Sequence, residues 1–223
     1  MPRSRVFPWS YSSLTAFEQC PLRYKLTKIT KAVREPQSDA MRWGNEVHKA
    51  LELAVGNDTP LPAAHASYQP IVDKVKAFPG VKMAEQSFGL TKDFQPTEFF
   101  GRDVWFRGKI DLNILRGDTA VVCDWKTGKV KDDPTQLSLF AGATFALYPT
   151  VNTVHARFIW LQSNETSGQT YTRDQAPKIW EPIMMRLAKM QHADDTDTFP
   201  PNPSGLCKRH CPVGRDNCDY CGG

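Results

Sequence analysis

The sequence lacks the features that would place it in a membrane or in the secretory pathway. It contains no run of about 18 apolar residues, so no transmembrane helix and no membrane partner are expected. The charged N-terminal residues are not followed by an apolar region of roughly 7–15 residues, so no secretory signal is expected either. A phosphate-binding G-x4-G-K-[ST] motif is also absent, which argues against a motor of its own. We therefore expect a cytoplasmic protein without a motor.

The chain is too long and too apolar for a disulfide-stapled small protein or for a disordered one. Its 223 residues are 40% hydrophobic, which is enough for one sizeable core. No linker-like stretch is visible, so we expect a single domain over residues 1–223. Without an export signal, the six cysteines are expected to be reduced thiols or metal ligands rather than disulfides.

Charge is unevenly distributed along the chain. The formal net charge is +4, but residues 1–34 hold seven basic residues and a single acid, Glu18. That segment carries +6, which leaves −2 for the rest of the chain. A basic N-terminal segment on a weakly acidic body predicts a polyanionic partner, although a solvated helical face has the same pattern.

Hydrophobic spacing predicts helices at both ends of the chain. A hydroxyl of Ser12 or Ser13 is expected to cap a short helix that ends near Pro21. Asp174 is expected to cap a long helix that reaches residue 190. The helices expected elsewhere, each with apolar residues three or four apart, cover 23–29, 38–54 and 134–148.

Alternating apolar residues predict the strands of one sheet between these helices. The expected strands are 83–90, 104–115, 119–124 and 154–161, with Tyr171 in a further partner strand. The fold class is therefore α/β, with a central mixed sheet flanked by helices. The expected parts are a basic helical segment over 1–34, a core over 38–200 and a Cys-rich metal-binding tail over 201–223.

Two acids end or interrupt the apolar strands, and they are the most informative feature of the sequence. Asp111 closes the segment Gly108-Lys109-Ile110-Asp111, and Asp124 opens Asp124-Trp125-Lys126-Thr127-Gly128. A hairpin would place the two carboxylates side by side, with Lys126 on the same side as Asp124. Such oxygen donors beside an ammonium suit Mg²⁺ or Mn²⁺ bound with a substrate phosphate. Two acids that only end strands, beside an exposed lysine, would give the same pattern.

Six segments in order give the chain a resemblance to a known family. They are Ser10-Tyr11-Ser12-Ser13-Leu14, Cys20-Pro21-Leu22-Arg23-Tyr24, Gly44-Asn45-Glu46-Val47-His48, Gly108-Lys109-Ile110-Asp111, Asp124-Trp125-Lys126-Thr127-Gly128 and Gln136-Leu137-Ser138-Leu139-Phe140. With them the chain resembles the RecB-like branch of the PD-(D/E)XK nuclease superfamily over nearly its whole length. The resemblance implies a restriction-endonuclease-like core.

The resemblance also implies the roles of particular residues. His48, Asp111 and Asp124, with the main-chain carbonyl of Trp125, would hold the divalent metal, and Lys126 would be the catalytic lysine. A histidine at position 48 that only pairs with Glu52 is the alternative. Gln136 matches the family's Q-x-x-x-Y motif, but Phe140 replaces the tyrosine. Glu85, on the strand before Asp111, resembles a recurrent acid of the family with no assigned role.

The activity implied is metal-dependent hydrolysis of DNA phosphodiesters, with exonuclease action favoured over endonuclease action. It would serve DNA repair, recombination or replication in the bacterial cytoplasm or in an infected host cell, with a separate helicase or recombination protein as a partner. We expect Arg23, Tyr24, Lys25 and Lys28 of the basic segment to contact the nucleic acid, with binding that weakens as salt rises. A non-catalytic DNA-binding or assembly subunit with the same fold is the alternative.

The cysteines allow two kinds of site. Cys207, Cys211, Cys218 and Cys221 form the pattern C-x3-C-x6-C-x2-C. By resemblance to the iron–sulfur nucleases of CRISPR adaptation and of helicase complexes, Cys20 with Cys207, Cys211 and Cys218 would bind a [4Fe–4S] cluster. The alternative is Zn²⁺ on the four tail cysteines, with His210 as a further possible ligand. Cys123 precedes Asp124 within a strand and is expected to be buried and inert.

Overall fold

The computed structural model describes residues 7–131 and 133–222 of the chain. These residues form two compact units, of which the first holds 7–8 and 39–181 and the second holds 9–38 and 182–222. The predicted division into a basic segment (1–34), a core (38–200) and a Cys-rich tail (201–223) remains a prediction. None of the helices in the described ranges is long and apolar enough to cross a membrane.

The first unit is built on a six-stranded mixed sheet. The strand order is β2-β1-β3-β4-β5-β6; β4 and β5 are parallel, and the other neighbours are antiparallel. The strands are β1 (Val81–Leu90), β2 (Pro96–Thr97), β3 (Phe106–Arg116), β4 (Thr119–Lys126), β5 (Thr153–Trp160) and β6 (Glu165–Thr172). The predicted α/β class and the restriction-endonuclease-like core are confirmed, and every strand except the short β2 was expected.

Seven α-helices accompany the sheet in the described residues. They are α1 (Tyr11–Gln19), α2 (Pro21–Tyr24), α3 (Asp39–Gly56), α4 (Gln69–Ala77), α5 (Pro134–Leu147), α6 (Ala176–Asp195) and α7 (Cys207–His210). A π-helical turn, Lys25–Ile29, continues α2, and 3₁₀ turns at Ala63–Tyr68 and Arg173–Gln175 precede α4 and α6. Helix α4 was not predicted from the sequence pattern.

Two predicted caps were wrong. The cap of helix α1 is Ser10, two or three residues earlier than expected, because the Ser10 hydroxyl accepts from the Ser13 amide and the Ser13 hydroxyl accepts from the Ser10 amide. At α6 the capping box is made by Thr172 and Gln175 around the 3₁₀ turn, not by Asp174. In both cases a reciprocal pair of side chains satisfies more main-chain groups than a single cap does. The expected start of α5 at Pro134 is confirmed, with Asp133 as its cap.

A buried cluster joins α3 and α4 to the middle of the sheet. Val47 and Leu51 of α3 pack with Leu112 of β3 and with Cys123 and Trp125 of β4. Cys123 is buried as expected, and burial raises the pKa of its thiol to about 12, so it stays protonated at neutral pH.

Strand β1 does not keep a regular alternation of side chains. Met83 and Gln86 both contact the Tyr148 hydroxyl at the end of α5, whereas Ala84 lies close to the end of α3. Residues three apart lie on opposite faces of a regular strand. The change of face occurs at Glu85, which has a left-handed backbone with φ of +50°.

Strand β3 changes face at the residue opposite Glu85. Strands β1 and β3 pair regularly at Ala84–Leu112 and again at Gln86–Ile110. Between these two pairs, Glu85 and Asp111 lie opposite each other without forming a regular pair. Asn113 bonds Gln86 on the face of Tyr148, but Asp111 reaches the face of α3. Both acids therefore lie on the side of the sheet that α3 covers.

The second unit is helical and has an aromatic cluster of its own. Phe17 of α1 makes edge contacts with Tyr24 of α2 and with Phe199 beyond α6. Glu18 forms a two-bond ion pair with Arg186 of α6. Segment 200–202 lies against the first helices, since the carbonyl of Pro200 accepts a hydrogen bond from the Leu22 amide. These contacts position Cys20 beside the chain that leads into the tail.

Candidate active site

Three acids from neighbouring strands form a row at one level of the sheet. Glu85 lies opposite Asp111, and Asp111 and Asp124 follow the last regular pair of β3 and β4, Leu112–Cys123. Asp111 is 8% exposed and Asp124 is 5% exposed. The hairpin thus brings the two predicted aspartates together, as the sequence indicated, and adds Glu85 beside them.

Helix α3 contributes a histidine to this row. Nδ1 of His48 lies 3.3 Å from Oδ1 of Asp111. One ligand atom each from His48, Glu85 and Asp111 can be chosen so that all three lie within 4.8 Å of one another. A Cβ atom at Gly44, one turn earlier, would lie 3.2 Å from Oγ1 of Thr127 just after β4, so a larger residue there would crowd the contact between α3 and β4.

Asp111 is held in place by the main chain of the neighbouring strand. Its Oδ2 accepts a 2.8 Å bond from the amide of Trp125. This bond leaves Oδ1 directed to His48 and fixes the carboxylate next to the residue whose carbonyl was predicted as a metal ligand.

Lys126, Asp124 and Gln136 form a closed network. Nζ of Lys126 lies 2.6 Å from Oδ2 of Asp124 and donates a 2.9 Å bond to Oε1 of Gln136. Nε2 of Gln136 donates a 2.7 Å bond to Oδ1 of Asp124. The Lys126 ammonium also lies 4.8 Å from the centre of the Phe158 ring. The predicted catalytic lysine therefore has a fixed position, and Gln136 of α5 holds it there.

The crowding of acids changes their proton affinities. Burial, and then the charge of Asp111, raise the pKa of Asp124 to about 6. Burial and the same charge raise the pKa of Glu85, against a smaller lowering by Lys109. Burial opposes protonation of His48, but its bond to Asp111 and the nearby acids outweigh burial and raise its pKa. The site therefore favours positive charge in its centre.

These residues fit a divalent metal ion. Carboxylate oxygens are the donors that Mg²⁺ and Mn²⁺ prefer, and an imidazole nitrogen is acceptable to Mn²⁺ when carboxylates already hold the ion. A cation would also remove the repulsion between acids that raises the pKa values of Asp124 and Glu85. Of the predicted ligands, His48 and Asp111 come together with Glu85, while both oxygens of Asp124 face Lys126 and Gln136.

Glu85 was not among the predicted ligands. It lies in a predicted strand, but strict alternation of side chains gave no reason to place its carboxylate beside Asp111. A cavity of about 760 Å³ opens next to the site and is lined by His48, Glu85, Lys109 and Thr127. A substrate can therefore reach the acids from the side of α3.

The predicted nucleic-acid residues of the second unit have protein partners. Arg23 and Lys28 both pair with Glu35, and Lys25 pairs with Asp197. All three side chains keep some exposure. Tyr24 differs, because it is only 7% exposed and its ring packs on Phe17. This burial argues against the predicted contact of Tyr24 with nucleic acid.

The cysteines of the second unit are free thiols that lie near main-chain donors or near each other. Sγ of Cys20 accepts from the amide of Asn202 at 3.5 Å, and Sγ of Cys207 accepts from the amide of Ser204 at 3.3 Å. Cys221 is 3% exposed. Its thiol interacts with Cys211 and Cys218, and burial together with these bonds raises its pKa to about 12.

Thiols with such neighbours fit a metal with sulfur ligands. Among the described residues, however, no three of these sulfurs lie within 4.8 Å of one another. Cys221, which the cluster hypothesis leaves unused, interacts with Cys211 and with Cys218.

Comparison with known families agrees with this geometry. A protein-family model described as the PD-(D/E)XK nuclease superfamily matches residues 8–219. The matched range includes the acids, the histidine, the lysine and three of the four tail cysteines, Cys207, Cys211 and Cys218. No curated protein sequence gives a significant match to the chain.

Proposed function

The chain belongs to the PD-(D/E)XK nuclease superfamily, and from this premise we propose that it is a DNA nuclease that depends on Mg²⁺ or Mn²⁺. The observation that carries the proposal is the pairing of two arrangements at one end of the sheet. One is the group of His48, Glu85 and Asp111, and the other is the network of Lys126 with Asp124 and Gln136. The group of two acids and a histidine suits a bound cation, and the network holds the Lys126 ammonium in a fixed position beside that group.

Each of these residues has a defined task in phosphodiester hydrolysis. Asp111, Glu85 and His48, with Asp124 beside them, would hold the metal, which supplies Lewis acidity and lowers the pKa of a bound water. Lys126 orients the attacking water and stabilises negative charge that develops on the phosphate. Gln136 fixes the Lys126 ammonium through Oε1. Asp124 balances the charge of Lys126 within the protein.

The proposed substrate is the end of a DNA strand. We favour exonuclease action on DNA ends, because the described residues show no separate module for reading sequence. The Arg23, Lys25 and Lys28 side chains would bind phosphates after they exchange their carboxylate partners. The setting is DNA repair, recombination or replication in a cytoplasm, beside a helicase or recombination protein that supplies the unwound strand.

The cysteine tail is proposed to bind a metal cofactor that stabilises the second unit. A [4Fe–4S] cluster on Cys20, Cys207, Cys211 and Cys218 is favoured by the resemblance to iron–sulfur nucleases. Zinc on the four tail cysteines is the second candidate, because Cys221 interacts with Cys211 and Cys218.

The experiment that tests the activity uses end-labelled linear DNA, closed circular DNA and RNA, each incubated with Mg²⁺, Mn²⁺ or EDTA. We expect metal-dependent degradation of the linear DNA and loss of that activity in Lys126→Ala. Degradation of circles would show endonuclease action instead. Binding without cleavage in every metal condition would support the alternative, a non-catalytic subunit that retains the fold.

A further inference from the structure

A basic and aromatic surface continues from the candidate active site along β3. It consists of Lys109 and Arg107 on the strand and of Phe99 and Phe100 on the turn between β2 and β3. We call these four residues the β3 track. The candidate site described above uses none of them as a metal ligand or catalytic group.

The track begins at the acids themselves. Nζ of Lys109 lies 3.6 Å from Oε2 of Glu85, and Lys109 lines the cavity beside His48. Arg107 is two residues further along a regular part of β3, so it lies on the same side of the sheet. At about 3.3 Å per residue, Lys109 is roughly 7 Å and Arg107 roughly 13 Å along the strand from Asp111. The spacing between Asp111, Lys109 and Arg107 along the strand is therefore close to the distance between successive phosphates of an extended nucleic acid strand.

The aromatic end of the track faces solvent. Phe100 is 82% exposed, the largest exposure of the described large hydrophobic residues. The guanidinium of Arg107 lies 5.3 Å from the centre of the Phe99 ring and 5.2 Å from that of Phe100. A cation over an exposed ring stabilises the folded protein only slightly. This contact alone does not explain an aromatic side chain left in water.

The turn that carries the two rings is ordered by its own hydrogen bonds. The Gly101 amide bonds to the Glu98 carbonyl at 2.9 Å, and Oγ1 of Thr97 bonds to Oδ1 of Asp103 at 2.6 Å. A Cβ atom at Gly101 would lie 2.9 Å from that same Thr97 oxygen, so the turn is tight. Phe100 is therefore presented in a defined place rather than on a loose loop.

We propose that the β3 track binds single-stranded DNA next to the scissile phosphate. Lys109 and Arg107 contact the first and second phosphates beyond the one at Asp111, and Phe100 stacks on an unpaired base at the end of the track. Basic side chains that follow the backbone, together with an aromatic ring for a base, are the features that bind single strands. A base inside a duplex is stacked on both faces and offers none to such a ring, so the track selects a single-stranded or frayed end. This inference rests on the proposed nuclease function and specifies its substrate.

Binding is measured by fluorescence anisotropy of a labelled oligo-dT of about 12 nucleotides, in the Lys126→Ala background so that the DNA stays intact. We expect Phe100→Ala to weaken binding roughly 5- to 100-fold without changing its salt dependence. Arg107→Ala should lower the slope of log affinity against log salt by about 0.7. Arg116→Ala removes an exposed arginine at the far end of the same strand and should leave both quantities unchanged.

A single abasic nucleotide locates the stacked base. It is moved along the oligonucleotide one position at a time, and at one position the Lys126→Ala and Phe100→Ala/Lys126→Ala proteins should bind with equal affinity. Loss of affinity in Phe100→Ala that persists at every abasic position would overturn the stacking contact. Equal weakening on a blunt duplex and on oligo-dT would overturn the preference for a single strand.

Different results would contradict the β3 track and the nuclease function on which it rests. If the wild-type protein degrades DNA but Phe100→Ala and Arg107→Ala bind and cleave single strands as it does, the β3 track is wrong and the nuclease function stands. If the wild-type protein neither binds nor cleaves any DNA with Mg²⁺ or Mn²⁺, both are wrong. Thermal denaturation of each variant checks that the fold is kept, since Phe100 is exposed and Arg107 is half-buried.

Discussion

Glu85 and Asp111 lie opposite each other at a level of the sheet where β1 and β3 form no regular pair, and both carboxylates lie on the side of His48. Glu85 reaches this position with a φ of +50°, which costs a side-chain-bearing residue about 1–3 kcal/mol. Burial and the charge of Asp111 raise the pKa of Glu85 as well. A bound cation would remove this repulsion between the two carboxylates.

Glu85→Gln tests this relationship directly. The substitution keeps the size of the side chain but removes one negative charge from the group that faces the proposed ion. We expect Mn²⁺ affinity, measured by titration calorimetry, to fall by at least about tenfold, as it does when a ligand or its direct support is lost. The metal-free variant should melt at a higher temperature than the wild type, because the repulsion with Asp111 is gone.

The matched control for Glu85→Gln is Glu46→Gln, an exposed acid on α3 close to His48 in the sequence. It changes the net charge by the same amount without altering the row of acids. Unchanged Mn²⁺ affinity in Glu85→Gln, or an equal loss in Glu46→Gln, would remove Glu85 from the proposed site.

The sequence predicted the aspartate pair but not the third acid, and the reason is physical. The apolar pattern of β3 and β4 is local, so the hairpin that joins Asp111 to Asp124 could be inferred from alternation alone. The change of face at Glu85 depends on β1 pairing with a strand that lies more than twenty residues away. Alternation assumes a regular pleat, and functional sites are where the pleat is broken.

Contacts between residues distant in the sequence were missed for the same reason. The basic residues of the first helices suggested a free cationic surface, yet Lys25 pairs with Asp197 at 2.8 Å. The amino-acid composition of a segment gives its charges, but it does not show which distant residues form ion pairs with them. The position of Gln136 was predicted by resemblance, whereas its bridge between Lys126 and Asp124 required coordinates.

Lys126→Ala should abolish metal-dependent cleavage and leave the protein folded. Its ammonium is the positive group held beside the acids, and removal of such a charge-stabilising donor costs roughly 100- to 1,000-fold or more in rate. Asp111→Asn should be similarly inactive, and it keeps an oxygen to accept from the Trp125 amide. The measurement is single-turnover cleavage of labelled DNA, with circular dichroism to check the fold. Near-normal rates in either variant would contradict the site.

The metal-free protein should lose stability as the pH rises through about 6. Burial raises the pKa of Asp124 to about 6 in the folded state, above its ordinary value, so the folded form binds the proton more tightly. The resulting stabilisation is present at about pH 4 and is lost above pH 6, a change of at most about 3 kcal/mol. Urea denaturation in EDTA, from about pH 4.5 to 7.5, measures it.

Asp124→Asn supplies the comparison for the pH experiment. It has no proton to lose, so the difference in unfolding free energy between variant and wild type should widen in favour of the variant as the pH rises. Parallel pH profiles for the two proteins would show that Asp124 does not titrate in this range. Added Mn²⁺ should reverse the order at pH 7.5, because only the carboxylate can assist in holding the ion.

Glu35→Gln should strengthen DNA binding. Bonding to Lys28, and then to Arg23, lowers the pKa of Glu35, so the carboxylate is ionised and competes with phosphate for both cations. Without it, affinity at low salt should rise and the salt slope should steepen by up to about 0.7 for each released cation. Asp39→Asn, which removes the carboxylate paired with Arg42 of the first unit, is a control with the same change of charge. Equal effects of the two substitutions would mean that general charge, not Arg23 and Lys28, is responsible.

Removal of the cysteine ligands should separate the two proposals for the tail. Protein purified without oxygen should contain roughly four iron atoms and matching sulfide per chain, and Cys20→Ser and Cys211→Ser should each lose them. Cys123→Ser is the control, because that thiol is buried among the apolar residues of the first unit. Loss of the cofactor should also lower the melting temperature. Zinc without iron, lost in Cys221→Ser and kept in Cys20→Ser, would instead establish the zinc site, since Cys221 interacts with Cys211 and Cys218.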